Sequence, residues 1–247
     1  MSEIDTPLLP KMIEVWQQTL NWQPTTQQQD YFQRLYELIL QGNRQLNLTR
    51  ITEPVEFWEK HLWDSLRGVV PFLQEKEQDK TLSAFKVIDI GTGAGFPGIP
   101  IAIALPNWTI TLLDSTRKKI TFLNTLLTQL SIQNANTITA RAEIASKQLE
   151  HQQSYDLALI RAVGSADVCA EYALPYLKQD GLAVLYRGNW TVAETASLQS
   201  TVERLGGVIE ANEAFTTPLS QSIRHCLYLR KVTVKSSEFP RPVRIIN

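Results

Sequence analysis

Val87-Ile88-Asp89-Ile90-Gly91-Thr92-Gly93-Ala94-Gly95-Phe96-Pro97-Gly98-Ile99-Pro100 reads as a strand, a glycine-rich turn and the start of a helix. The run Phe85 to Ile90 is short, apolar and β-branched, the pattern of a parallel strand covered on both faces. Gly91, Gly93 and Gly95 follow, and residues without a Cβ let a backbone turn sharply and approach a ligand closely. Pro97 fits the first turn of a helix, where its missing N–H costs nothing. The stretch is a candidate cofactor cradle.

Two kinds of ligand compete for it. Gly93-x-Gly95-x-x-Gly98 satisfies the dinucleotide fingerprint, which seats a pyrophosphate on a helix N-terminus. Asp89, two residues before the first glycine, weighs against that: a carboxylate repels a pyrophosphate but accepts hydrogen bonds from an ammonium group. S-adenosylmethionine carries an ammonium and a sulfonium and no phosphate, so the charge argument favours it. A nicotinamide oxidoreductase remains the alternative that the glycine spacing allows.

Outward from this stretch, strands and helices alternate. Trp108 to Leu113 reads as a strand ending at Asp114, the position from which an acid binds ribose hydroxyls in dinucleotide folds. Ser115 or Thr116 can cap the helix from Arg117 to Leu130. A third strand, Asn136 to Ala140, leads into a helix beginning Arg141-Ala142-Glu143. A fourth, Tyr155 to Ile160, places Arg161 at its carboxyl end, and a fifth, Gly181 to Tyr186, ends in Arg187-Gly188-Asn189. In open α/β sheets the carboxyl edge carries the ligands, which singles out Arg161 and Arg187. A helix from Thr191 to Leu205 and strands Val208 to Ala211 and His225 to Val234 complete the sheet.

Upstream, Lys11 to Leu20 and Thr26 to Gln41 read as amphipathic helices, the second closed by Gly42-Asn43. A third helix runs from Val55 to Val70, capped by Thr52 and ended by Pro71. It holds His61 and Asp64, three residues apart: either a hydrogen-bonded pair that orients the helix, or groups bordering the active site. The organisation expected is an N-terminal helical extension over 1–73, a linker over 74–84, a Rossmann-like α/β domain over 85–235 and a basic tail over 236–247.

Hydrophobic content of 43% and charged content of 20% in 247 residues describe a globular protein with a sizeable core. No apolar run approaches membrane-spanning length and the N-terminus lacks a signal-peptide pattern, so a cytoplasmic protein with no membrane association is expected. Cys169 and Cys226 lack metal-ligand spacing and His61, His151 and His225 are scattered, so no metal site is expected. The net charge of −1 hides an asymmetry: Arg224, Arg230, Lys231, Lys235, Arg241 and Arg244 face only Glu238 in the last part of the chain. Such a run permits a local phosphate-binding face.

Asn47 to Thr52 (NLTRIT), His61 to Ser65 (HLWDS), Asp89 onward (DIGTGAGFPGIPIAI), Leu112 onward (LLDSTRKKITFL), Ala140 to Glu143 (ARAE) and Ile160 to Ser165 (IRAVGS) occur in order. From Phe85 to Val234 the chain resembles class I S-adenosylmethionine-dependent methyltransferases. The motifs together resemble the ribosomal RNA small subunit methyltransferase G family, also called glucose-inhibited division protein B. The resemblance implies an enzyme that methylates N7 of one guanosine in the 530 loop of 16S rRNA, acting as a monomer on rRNA or the small subunit. It also implies donor contacts from Gly91, Phe96, Asp114, Ser115, Thr116, Ala142, Glu143 and Arg161, beside Asp89 and Gly93 of the cradle. Arg161 and Arg187 are the candidates for holding guanine O6 or neighbouring phosphates, the alternative for both being a structural ion pair. Where the family has Lys-Gly after the fifth strand this chain has Arg187-Gly188, and its ending, FPRPVRIIN, departs from the family's tail. A non-catalytic RNA-binding protein that keeps the fold is the other alternative.

Overall fold

The computed structural model describes residues 7–73 and 85–233. The expected linker over 74–84, the basic tail, and Lys235, Arg241 and Arg244 lie outside the described residues. Seven described strands form one sheet: β1 Lys86–Ile90, β2 Thr109–Asp114, β3 Ala135–Thr139, β4 Tyr155–Arg161, β5 Leu177–Arg187, β6 Gly207–Thr216 and β7 Ile223–Lys231. Their order is β3-β2-β1-β4-β5-β7-β6. The first five run parallel, and β7 is antiparallel to both its neighbours. Strand order reverses at β1/β4, so the crevice beyond their carboxyl ends is where a ligand belongs.

Period-two alternation splits the strand residues between two cores. Val87, Leu157, Leu159, Val184 and Tyr186 face one side, where they share a core with Trp16, Tyr36, Trp58 and Trp63 of the N-terminal helices. Ile88, Ile90, Ala158, Ile160, Ala183 and Leu185 face the other, under helices Ala166–Ala173 and Val192–Arg204. The N-terminal helices are therefore continuous with the sheet's core. Each large apolar side chain so buried contributes roughly 1.5–3 kcal/mol.

The N-terminal helices are Ile13–Leu20 and Thr26–Asn43. Thr25 and Gln28 form a reciprocal capping box at the start of the second, and the Gln28 amide also donates to the carbonyls of Ile103 and Ala104 at the end of helix Gly98–Ala104. The third helix runs through Pro54–Phe57, Trp58–Trp63 and Asp64–Arg67, its middle part wound as a π-helix. The helix departs from its expected bounds at both ends. Thr52 does not cap it: Glu53 holds that position, and the Thr52 carbonyl instead accepts from the Tyr36 hydroxyl at 2.6 Å. Nor does Pro71 end it. The helix stops before Gly68, and Pro71 lies inside a separate short helix, Val70–Leu73, tolerated in its first turn. The sequence reading also passed over Ala166–Ala173, and expected a shorter β6 than the strand observed.

Candidate active site

The glycine turn leaves β1 with Gly91, Gly93 and Gly95 at positive φ (71°, 60° and 98°). A Cβ at Gly91 would run into the Val163 side chain, whereas one at Gly93 would meet nothing nearer than the Gly91 carbonyl at 3.9 Å. Gly93 thus keeps an open face on the loop. Its N–H donates to Asp114 Oδ2 at 3.1 Å, which ties the turn to the end of β2.

Two cavities open along the carboxyl edge of the sheet. The smaller, about 230 Å³, is lined by Gly91, Asp114, Ser115, Ala140, Ala142, Glu143, Val163, Val168 and Tyr172 among others. Its walls combine apolar and aromatic groups with the charged side chains of Asp114, Arg141 and Glu143, a setting for a flat heterocycle joined to a ribose. The larger, about 450 Å³, is lined by Lys60, His61, Asp64, Arg161, Arg187, Arg224 and His225 among others, and its cations are Lys60, Arg161, Arg187 and Arg224 against the carboxylates Glu59 and Asp64. The chain leaving β4 divides the two: Arg161 and Ala162 line the larger cavity and Val163 the smaller. Ala162 is held at φ 57°, a left-handed conformation uncommon for a residue with a Cβ. Strain of this kind concentrates where a backbone must present its flanks to ligands.

Asp89 is placed behind the loop, not in either cavity. It is fully buried, and its Oδ2 accepts from Thr92 Oγ1 at 2.6 Å and from the Gly98 N–H at 2.8 Å, pinning the turn to the helix after it. Its Oδ1 has no hydrogen-bond partner among the described residues. Desolvation raises its pKa to about 6 against those hydrogen bonds and Arg161. The expected contact between this carboxylate and a ligand's ammonium is therefore not what the geometry offers. Strand parity explains it, since Asp89 shares the inward face of Val87.

Asp114 lines the smaller cavity with Oδ1 accepting from the Thr116 N–H at 2.8 Å. Thr116 holds the N-cap position expected of it, but its side chain makes no capping bond. Ser115 is exposed at the cavity rim, and Thr116 is outside the lining. Glu143, nearly buried, accepts from Arg141 Nε at 2.6 Å. Phe96 lines neither cavity: it stacks on His61 with ring centroids 4.3 Å apart and planes 7° apart. The residues present fit S-adenosylmethionine, because the glycine turn supplies a side-chain-free face at Gly93 and the acid at the end of β2 shares its cavity with Val163, Val168 and the Tyr172 ring.

His61 and Asp64 do not pair. His61 Nε2 lies 2.8 Å from Thr49 Oγ1, and burial, with Arg161 and Lys60 nearby, lowers its pKa to about 3. Asp64 Oδ2 instead accepts from Arg161 Nη1 at 2.7 Å, and the same nitrogen donates to the Lys60 carbonyl at 3.0 Å. Arg161 has the parity of Leu157 and Leu159, so it leaves the sheet towards the N-terminal helices. Arg187 has the parity of Ala183 and Leu185, leaves on the opposite face, and donates to the Gly164 carbonyl at 2.7 Å. Both still reach the larger cavity because each is the last residue of its strand. Sequence reasoning missed Glu59, Lys60, Val168 and Tyr172; the helix carrying the last two went unread, and the π turn that brings Glu59 and Lys60 to the cavity leaves no mark in the apolar period.

Among the described residues no helix is long and apolar enough to cross a membrane, and no cluster of His, Cys, Asp or Glu could hold a metal. A family model described as rRNA small subunit methyltransferase G matches residues 28–226. A ribosomal RNA small subunit methyltransferase G from Nostoc punctiforme is 64% identical over 97% of this chain and 97% of its own length. One from Trichodesmium erythraeum is 56% identical over 100% of this chain and 96% of its own. Among solved structures, a Pyrococcus horikoshii protein named only as a transferase aligns with TM-score 0.51 and 12% identity over 68% of this chain and 63% of its own, a likeness of fold alone.

Proposed function

Since the chain belongs to the rRNA small subunit methyltransferase G family, we infer that it transfers a methyl group from S-adenosylmethionine to N7 of one guanosine in the 530 loop of 16S rRNA. The observation that carries the reading is the pair of cavities divided by Arg161, Ala162 and Val163, one with an aromatic wall and an acid for a ribose and one carrying four cations. S-adenosylmethionine supplies a methyl group on a sulfonium, already activated for attack. The protein's part is then to position, because guanine N7 carries a lone pair on the major-groove edge and loses no proton on methylation.

Asp114 faces the smaller cavity, where ribose hydroxyls would replace part of its hold on the loop. Ala140, Val163, Val168 and Tyr172 would enclose the base of the donor, with Ser115, Ala142 and Glu143 along its edge. Arg161, anchored by Asp64 and the Lys60 carbonyl, keeps a fixed guanidinium between donor and acceptor. Arg187 would meet guanine O6 or a flanking phosphate from the far side of the sheet. His61, held neutral, adds no proton chemistry to the cavity it borders. We place the enzyme in the cytoplasm as a monomer, its helical N-terminus forming the acceptor-side wall and the sheet holding the donor.

A radiolabelled transfer assay on deproteinised 16S rRNA and on small subunits, followed by mapping of the modified base, tests this. Label at N7 of a 530-loop guanosine is expected. Label on an exocyclic amine or a ribose would overturn the acceptor assignment, and RNA binding without transfer would leave a non-catalytic RNA-binding protein.

A further inference from the structure

Arg224, Arg230 and Lys231 belong to one run of cations in the sequence, and the fold separates them. Lys231 is buried with Nζ donating to the Leu205 carbonyl at 2.6 Å. Arg230 bridges to Glu210 and donates to the Asp180 carbonyl at 2.8 Å, near the start of β5. Arg224 lies six residues away along β7, about 20 Å, and lines the cationic cavity. It has the parity of Cys226 and Tyr228, which face the core shared with the N-terminal helices. Its side chain therefore leaves the sheet on the side of Lys60 and Arg161.

Three features make this position a built one. The Arg224 guanidinium lies over Gly188, where a Cβ would come within 3.5 Å of Nη1. The hairpin that carries Arg224 is clamped to the π turn: Glu59, 2% exposed, accepts from the Leu219 and Ser220 N–H groups at 2.6 and 2.9 Å. Arg224 has no hydrogen bond or ion pair among the described residues, whereas Arg161 is engaged by Asp64 and Arg187 by Gly164. Among the described residues its fork is thus open to an incoming anion. Lys60 lines the same cavity, its ammonium held among the described residues only by the half-exposed Glu56 at 2.7 Å, an i,i+4 surface pair that contributes little and yields readily.

We propose that Arg224, with Lys60 lining the same cavity, forms an anion subsite that holds a backbone phosphate of the nucleotide being methylated. It rests on the RNA-methylation reading above. A planar fork grips two phosphate oxygens at once, and Lys60 adds a point charge, so the pair fixes the strand while Arg161 and Arg187 meet the base. Phosphate contacts of this kind set register and carry no sequence information.

The test compares the wild type with Arg224→Ala, Arg224→Lys and, as a surface control, Arg230→Ala. Equilibrium binding to 16S rRNA is measured across a salt series without donor, together with methyl-transfer kinetics and S-adenosylmethionine affinity by calorimetry. Arg224→Ala is expected to raise KM for RNA about tenfold with kcat within about twofold, and to flatten the log–log salt slope by about one. Arg224→Lys should recover the slope but only part of KM, and Arg230→Ala and donor affinity should not move. A wild-type slope and KM in Arg224→Ala overturns the subsite, as does a parallel loss of donor affinity, which would assign Arg224 to the fold. Because the salt slope needs no turnover, it is read even where transfer fails, so a wild type that binds but does not methylate RNA overturns the functional reading and leaves the subsite to be judged on the slope.

Discussion

His61 shows how one side chain can be set by burial. It is 8% exposed, stacked on Phe96 and hydrogen-bonded to Thr49, and its pKa is lowered to about 3. The unfolded chain therefore takes up the proton first on acidification. Its contribution to stability is complete above the unfolded value of 6.5 and is lost as pH falls towards about 3. Asp89 has the opposite sign: with a pKa raised from 3.8 to about 6, its contribution is complete below 3.8 and is lost as pH rises through about 6. Between about pH 4 and pH 6 the two slopes oppose each other. Replacing His61 by Gln removes one of them, so the stability gap between wild type and His61→Gln should close by about 1.4 kcal/mol per pH unit as pH falls through that window. Urea unfolding of both proteins at several pH values measures it, and a gap that does not change with pH would mean that His61 is not held neutral by burial. The sequence located His61 and Asp64 on one helix, but their partners, Thr49 and Arg161, are separated from them by chain and are supplied by tertiary packing.

At the scale of elements, the join between the π-wound third helix and the sheet decides where one wall of the larger cavity stands. Gly68 ends that helix against the sheet, and a Cβ there would overlap the Tyr186 hydroxyl and the ring edge that carries it. Tyr186 in turn donates to the Ser65 carbonyl at 2.8 Å, and the Tyr228 hydroxyl donates to the Gly68 carbonyl at 3.2 Å. Arg67 reinforces the join by pairing with Glu213 at 3.1 Å and lying 4.6 Å from the Phe215 ring centroid. Gly68→Ala is expected to cost about 1–3 kcal/mol through overpacking. Combined with Tyr186→Leu, which removes the overlapping ring edge with its hydroxyl, it should cost less than the sum of the single changes. Additive losses in denaturant titrations would place the strain elsewhere. The same helix explains the misread Pro71: local proline rules predicted a stop, while the stop actually used is the glycine that lets two elements touch.

For the whole molecule, the absence of a proton to remove from guanine N7 has a kinetic consequence. Single-turnover methyl transfer should vary little from about pH 6.5 to about pH 9, since no general base is required. The buried groups agree: His61 is neutral throughout that range, and the Cys169 thiol is pushed up to about 11 by desolvation. A rising or bell-shaped profile that flattens in His61→Ala would sink the N7 assignment. By itself the sequence determined the alternation of strands and helices, the glycine turn with Asp89 and Asp114 at strand ends, and Arg161 and Arg187 on the ligand edge. Those are matters of local periodicity and backbone freedom, which neighbouring residues specify. The inward turn of Asp89, the pairing of Asp64 with Arg161 rather than His61, and the selection of Arg224 from its run of cations were decided only by the tertiary structure. Each depends on strand parity and on which distant segment packs opposite, and side chains compete for those partners only once the sheet and the N-terminal helices share a core.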